Sequence, residues 1–335
     1  MQLWDADWSE VLAKQAVWLV GLMGDDLAEE IFLQIGGIAI SDTSIGRRVA
    51  VWGEKIKAVE EARAATARAL PRFGEVVRGE AHSGPRMGAA MDGIMMHVRE
   101  EGWKELKVGC IYEVEMRREV DKKTAEEKEV PSAVRNSYTA LLGGHERFGE
   151  AVWAEANRRG LPRAIDTIVL GDGAKWIWKE AQKHFGSSEQ AVDWYHAKQH
   201  LYQAAYLGYG EGDPKAIRWA KGMEEPLYQG EAQRVASAIR YMAERHSGKR
   251  AEQLLKEANY FEQNERRMQY MELREGGWPI GSGMVESGGK RFGARFAGSG
   301  MRWSRVGAER LIPVRAAILS GRFDEVWEAA YSPPK

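Results

Sequence analysis

Cysteine is almost absent. Cys110 is the only one in 335 residues, which excludes an internal disulfide framework and zinc sites of the two- and four-cysteine kinds. A reducing compartment is then the default. Long apolar runs are missing too: the longest, around Ala16 to Met23, falls short of the roughly 20 residues that span a bilayer. No basic leader with a small-residue cleavage site precedes it, so the expectation is a soluble intracellular protein with no membrane partner. Nor is there an excess of one charge. With 48 basic and 49 acidic residues, the chain does not coat nucleic acid over its whole surface, and any polyanion contact must be local. Length allows two domains, or one large domain carrying an insertion, with a substantial core in either case.

Residues 8 to 70 carry apolar positions at helical period, Val11, Val17, Leu19 and Leu22 followed by Leu27, Ile31, Phe32 and Ile35. Gly36-Gly37 closes one helix, and Asp42 or Thr43 can cap the next, which runs through Arg47, Arg48, Val51 and Trp52. This fits a helix-turn-helix that meets DNA through Arg47 and Arg48. An ordinary helical hairpin with its arginines in water fits the same pattern.

From Ala89 the period changes. Ala90 to Val98 and Leu106 to Met116 read as strands joined near Gly102, and Arg117 to Glu129 as a protruding hairpin or solvated loop. Ser137 to Leu142 is a third strand and Glu146 to Arg159 a helix. Thr167 to Leu170 is a short apolar run suited to an inner strand covered on both faces. Helix 174–184, a short strand at Ala191 to Trp194 and helix 197–207 follow. From Pro214 to Met271 nothing resembles a strand, and apolar and charged faces alternate at helical spacing. The expectation is a mixed α/β core with an all-helical insertion, divided as 1–80 (helical, DNA-binding), 81–204 (first part of the core), 205–275 (insertion) and 276–335 (rest of the core).

Three carboxylates stand where a charge is hard to justify unless it is paired or binds metal: Asp92 inside an apolar run, Asp172 at the end of Ile168-Val169-Leu170, and Glu286 among glycines. A carboxylate at a strand's end faces the crevice where open α/β sheets place ligands. Two divalent ions on shared carboxylates promote phosphoryl transfer, and oxygen ligands select magnesium or manganese. Taken singly, each acid also fits a turn or the first turn of a helix. After Glu286 come Lys290, Arg291, Arg295, Arg302, Arg305, Arg310 and Arg315, interleaved with Phe292, Phe296 and Trp303, with Glu309 the only acid. Such a strip neutralises phosphates while its rings stack on bases; arginine stems covering apolar surface are the alternative. Asp193 and His196, three residues apart, suit a hydrogen-bonded pair beside Asp172 better than a zinc site with His200, for which no cysteine or third histidine lies near.

Five stretches resemble a known family: Met91-Asp92-Gly93, the run from Leu170 to Trp178, Asp193-Trp194-Tyr195-His196-Ala197, the run from Pro279 to Ser287, and the run from Gly298 to Ser304. In order and spacing, over roughly residues 30 to 325, they look like the insertion-sequence transposases of the ISKra type. The resemblance implies a ribonuclease-H-like core with an all-helical insertion, as in the Mutator-like branch of DDE transposases. It further implies a catalytic, metal-binding triad of Asp92, Asp172 and Glu286, with Asp193 and His196 as an auxiliary Asp-x-x-His motif. The partner would be double-stranded DNA, bound by a homodimer in a prokaryotic cytoplasm. Two departures stand out: such transposases often carry a longer DNA-binding leader, sometimes with a cysteine-rich finger, and here Gly288-Gly289 follows Glu286. Each glycine costs about 1 kcal/mol relative to alanine in a helix interior, enough to weaken the helix on which the placement of Glu286 depends.

The leading expectation is a DDE transposase. Its rivals are a repurposed copy that binds DNA without cutting, a metal-dependent nuclease on the same core, and, least, a glycosidase using two of the acids.

Overall fold

A computed structural model describes residues 3–5, 8–70, 84–120 and 127–331. The domain boundary expected near residue 80, the tip of the charged segment at 121–126 and the last four residues lie outside the described residues. Strands β1 (Leu3–Asp5) and β2 (Trp8–Ser9) form a small antiparallel pair. Helices α1 (Glu10–Leu22), α2 (Asp25–Gly36) and α3 (Asp42–Ala67) follow. Gly37, at φ +62°, ends α2 in the left-handed conformation with its N–H on Leu33 O, the usual work of a glycine after a helix. Ser41, not Asp42 or Thr43, caps α3 by accepting from the Ser44 N–H.

The α2–turn–α3 pair has the expected order, but α3 is 26 residues long and packs on α1 and on the helices His145–Arg158, Arg305–Leu319 and Phe323–Tyr331. Trp52 of α3 stacks on Trp327 at 4.2 Å. Residues 10–67 therefore share one core with residues 305–331.

The central sheet contains β3 (Met87–Val98), β4 (Gly102–Val120), β5 (Glu127–Leu142), β6 (Thr167–Gly171) and β7 (Glu189–Val192) in the order β5-β4-β3-β6-β7. Antiparallel pairing joins β3, β4 and β5, whereas β6 runs parallel to β3 and β7 parallel to β6. Gly102, at φ +74°, makes the tight turn between β3 and β4. The charged segment does continue the hairpin, Arg117 pairing with Val130 and Val120 with Glu127. Every residue of β6 is buried, as an inner parallel strand requires.

Helix α4 (His145–Arg158) covers one face: a Cβ on Gly109 would lie 2.8 Å from Val152. Helix α5 (Lys175–His184) joins it, Ile177 filling the space beside Gly171. The opposite face carries α11 (Gly283–Phe296), whose Gly289 and Gly293 lie against Ile94. Helices α12 (Arg305–Leu319) and α13 (Phe323–Tyr331) close the chain against α3. Between α6 (Trp194–Tyr209) and α11 stand α7 (Pro214–Tyr228), α8 (Ala232–Ala243), α9 (Gly248–Asn264) and α10 (Tyr270–Glu275), the expected all-helical insertion. No helix among the described residues is long and apolar enough to cross a membrane.

One buried ion-pair group ties three of these elements. Arg322, just before α13, donates to Glu155 of α4 at 2.8 Å and to Glu60 of α3 at 3.2 Å, and Glu155 also takes Arg158 at 2.6 Å. Burial pushes the Glu155 carboxyl up, but Arg158 and Arg322 outweigh it and hold the group below its ordinary 4.5. Its contribution to stability is present above that value and is lost as pH falls through the lower folded value. Arg322→Ala should therefore cost about 3 kcal/mol at pH 7, with the deficit shrinking as the pH drops below 4. Urea unfolding of both proteins at pH 7 and pH 3 checks this; equal stability at pH 7 would refute it.

Candidate active site

The register of β3 with β6 decides where the first two acids go. Met91 pairs with Gly171, so Asp92 and Asp172 are next in line on adjacent strands, which run about 4.8 Å apart. Side chains alternate across a sheet. Gly109, paired with Met91, faces α4, so Asp92 and Ile94 face α11. The same parity continues one strand further: Gly171 pairs with Val192, and the N–H of Asp193 donates to the Gly171 carbonyl at 2.8 Å. Three aspartates thus stand in one row, Asp92 midway along β3 and Asp172 and Asp193 just past the carboxyl ends of β6 and β7.

Their local bonds differ. Asp92 Oδ1 accepts its neighbour Gly93's N–H at 2.7 Å, and Asp172 Oδ1 accepts the Ala174 N–H at 2.8 Å. Asp193 is fully buried and both its oxygens are used: Oδ1 caps α6 through the His196 N–H at 2.7 Å, and Oδ2 accepts the Ser282 N–H. The Trp194 N–H then reaches the Ile280 carbonyl at 2.9 Å. Asp193 is therefore a clasp between the sheet and the segment that opens α11. The expected Asp193–His196 side-chain pair does not form; the bond is to the His196 backbone.

Helix α11 brings Glu286 over the same ground. Its glycines, expected to weaken it, let it approach closely. A Cβ on Gly288 would sit 2.5 Å from the Tyr138 ring, and one on Gly289 would sit 3.2 Å from Ile94 and 4.0 Å from Asp92 Oδ2. Tyr138 also donates to the Met284 carbonyl at 3.2 Å. The cost in helix propensity is offset by contact with the sheet, and α11 is unbroken.

Burial pushes the Asp92 carboxyl above the ordinary carboxylate range, and the charges of Asp172 and Glu286 push the same way; the Gly93 N–H and His196 oppose them. Asp92, Asp172, Glu286 and His196 thus share one electrostatic neighbourhood. In it Glu286 is exposed and bonds Lys290, one turn on, at 2.7 Å. Among the described residues no three His, Cys, Asp or Glu side chains converge around a point that could hold an ion. The chemistry of the donors still fits a hard divalent cation: two adjacent carboxylates, one of them partly desolvated beside further negative charge. Exposed pairs one helical turn apart contribute only about 0.3–0.5 kcal/mol, so Lys290 does not lock Glu286 away. His200 belongs to a different group, bonding Glu257 at 2.7 Å and stacking on Tyr260 at 3.7 Å. Tyr260, unremarkable in the sequence, donates its hydroxyl to the Asp172 carbonyl at 2.9 Å across 88 residues.

The basic strip divides. Arg291 and Arg302 are exposed, as are Arg47 on α3 and Lys290, which bonds Glu286. Arg295 and Arg315 are buried, donating to the Val20 and Gly21 carbonyls in the last turn of α1. They satisfy carbonyls that a helix end leaves unpaired and meet its negative pole. Burial pulls Arg295 down to about 10. Arg295 is thus not a DNA contact in this fold. Trp303 lies against Phe296 at 5.2 Å and under Arg295 at 4.8 Å, Phe292 and Phe296 are fully buried, and Arg305 is taken by Glu101 and Glu309. Phe292 and Phe296 are core, because the 3.6-residue period of α11 turns both rings inward, and Trp303, beyond α11, packs half-buried against Phe296. Arg48 lies over the Trp8 ring at 5.4 Å.

No family model matches the chain. Over 172 residues it is 24% identical to a protein of Streptococcus gallolyticus named the UPF0236 protein in the vanSb 3′ region. That match takes in 50% of this chain and 37% of the relative, so the chain spans well under half of that protein's length.

Asp92 carries a thermodynamic signature. Because its proton is held more tightly in the folded state, ionisation weakens the fold as pH rises past 3.8 towards the higher folded value, and the penalty persists above it. Asp92→Asn should accordingly melt above the parent at pH 7 in metal-free buffer and converge with it near pH 3. A variant that melts below the parent at pH 7 contradicts this account.

Proposed function

We propose that this chain is a DNA transposase that cuts and joins strands by phosphoryl transfer supported by divalent cations, with Asp92, Asp172 and Glu286 as its acidic triad. The observation that carries the reading is the β3–β6 register, which sets Asp92 beside Asp172 beneath the helix bearing Glu286. Three antiparallel strands followed by two parallel ones, with a helical insertion before the last acid's helix, support the finer reading of a ribonuclease-H-like core. The exposed Arg291 and Arg302, on and just after that helix, support a nearby phosphate backbone.

Asp92 and Asp172 would hold the cation, joined by Glu286 once it parts from Lys290. Magnesium or manganese would supply charge neutralisation at the phosphodiester and ease deprotonation of the attacking water or hydroxyl. The chain's own residues supply position. Asp193 fixes the start of α11 to the sheet, so Glu286 is carried on a rigid element. His196 lies near enough to Asp92 for its charge to act on that carboxylate. Catalysis of this kind depends on placement and electrostatics.

Purified protein with labelled terminal-repeat DNA and manganese tests the reading. Asp172→Asn should lower cleavage by about 10²–10³-fold or more while DNA binding persists. A variant that cuts like its parent sinks the proposal, and hydrolysis without joined products in a target plasmid would make the protein a nuclease instead.

The two kinds of arginine should separate in binding. Arg302→Ala should weaken DNA binding alike for all sequences and reduce the log–log salt slope by about 1. Arg295→Ala should act on folding, lowering the melting temperature. If Arg302→Ala leaves both affinity and slope unchanged, that surface does not meet DNA.

A further inference from the structure

The insertion reaches the acidic site through one side chain that the proposed reaction does not otherwise explain. Asp172 is followed by Gly173 at φ +102°, a left-handed conformation suited to glycine. The ring of Tyr260 fills the space a side chain would take there: a Cβ on Gly173 would be 2.6 Å from its Cε2. Its hydroxyl donates to the Asp172 carbonyl at 2.9 Å. The ring also stacks on His200 of α6 at 3.7 Å and 24°, and His200 is held by Glu257 of α9 at 2.7 Å. Glu257 and Tyr260 lie three residues apart on one helix, so they act from the same face. Burial pushes the phenol up, and the charges of Asp172, Asp193 and Glu257 add to that, so it remains a donor at every physiological pH.

The Asp172 carboxylate depends on this turn. Its Oδ1 is committed to the Ala174 N–H, and the peptide that orients both is the one whose carbonyl Tyr260 holds. A loose turn would let the carboxylate swing away from Asp92.

Resting on the phosphoryl-transfer reading, we propose that Tyr260 is a positioning residue: with His200 and Glu257 it lets the helical insertion fix the Asp172–Gly173 turn in the orientation that receives a divalent cation beside Asp92.

Tyr260→Phe removes only the hydroxyl and keeps the ring, so the fold should survive, as circular dichroism and melting can verify. Two measurements then follow. Hydrogen exchange at Gly173 and Ala174, read by mass spectrometry in metal-free buffer, should quicken at least about tenfold, the loss of roughly 1.4 kcal/mol of local protection. Manganese affinity, read by calorimetry with the metal alone, should fall about 10-fold, as for loss of a residue that orients a metal ligand. Unchanged exchange overturns the inference, and so does faster exchange with parental manganese affinity, which would reduce the hydroxyl to a loop tether. A parent protein that takes up no manganese sinks the phosphoryl-transfer reading and this inference with it. A parent that binds manganese and a variant that matches it sink only the role of Tyr260.

Discussion

The pairing of Met91 with Gly171 across two parallel strands is the constraint on which the site depends. A slip of one residue would send one aspartate to the α4 face and leave the other alone, because side chains alternate in a strand. Burial fixes the register. The whole of β6 and the first five residues of β3 are closed to solvent, so a slipped pairing would have to move apolar residues out of that core and bury acids in their place. The same interlock carries over to Asp193 on β7, whose carboxylate then anchors the entry to α11. Two carboxylates are thus placed by strand pairing, and the helix of the third is placed by a hydrogen bond that the row of aspartates itself supplies.

Like charges gathered in a partly desolvated place oppose folding. Asp92 bears most of that opposition, and the surrounding fold offsets it with features that have no other evident use. Gly288 and Gly289 give up helix propensity so that α11 can touch the sheet. Tyr138 gives its hydroxyl to the α11 backbone. A site that is disfavoured on its own account but strongly braced is a common mark of function over stability.

Much of this was legible along the chain. The change from helical to alternating period at Ala89, the isolated apolar run ending in Asp172 and the strandless stretch after Pro214 all match elements that form, because each is a local pattern with a local cause. The reading failed where the cause lies far away in sequence. Arg295 and Arg315 look like phosphate contacts in a basic strip, and nothing nearby reveals that carbonyls at residues 20 and 21 await them. Gly288-Gly289 looks like a weak helix until Tyr138 and Ile94 are set against it. Asp193 and His196 have the spacing of a side-chain pair, yet the carboxylate prefers backbone N–H groups at two helix starts. Tyr260 gives no sign at all, since its partner is a main-chain carbonyl and main chain has no sequence signature.

The arginine caps on α1 also bear on how the molecule is made. Arg295 meets Val20 across 275 residues, and Arg315 meets Gly21 across 294. During synthesis α1 emerges well before its partners and waits, with an open carbonyl end and an unfilled apolar face, until Arg295 and Arg315 have left the ribosome. Such distant closures come late and slow the search for the native state. Completion of this core is therefore tied to synthesis of residues 295 and 315, and a product stopped before α11 would keep neither its first helix docked nor its third acid in place.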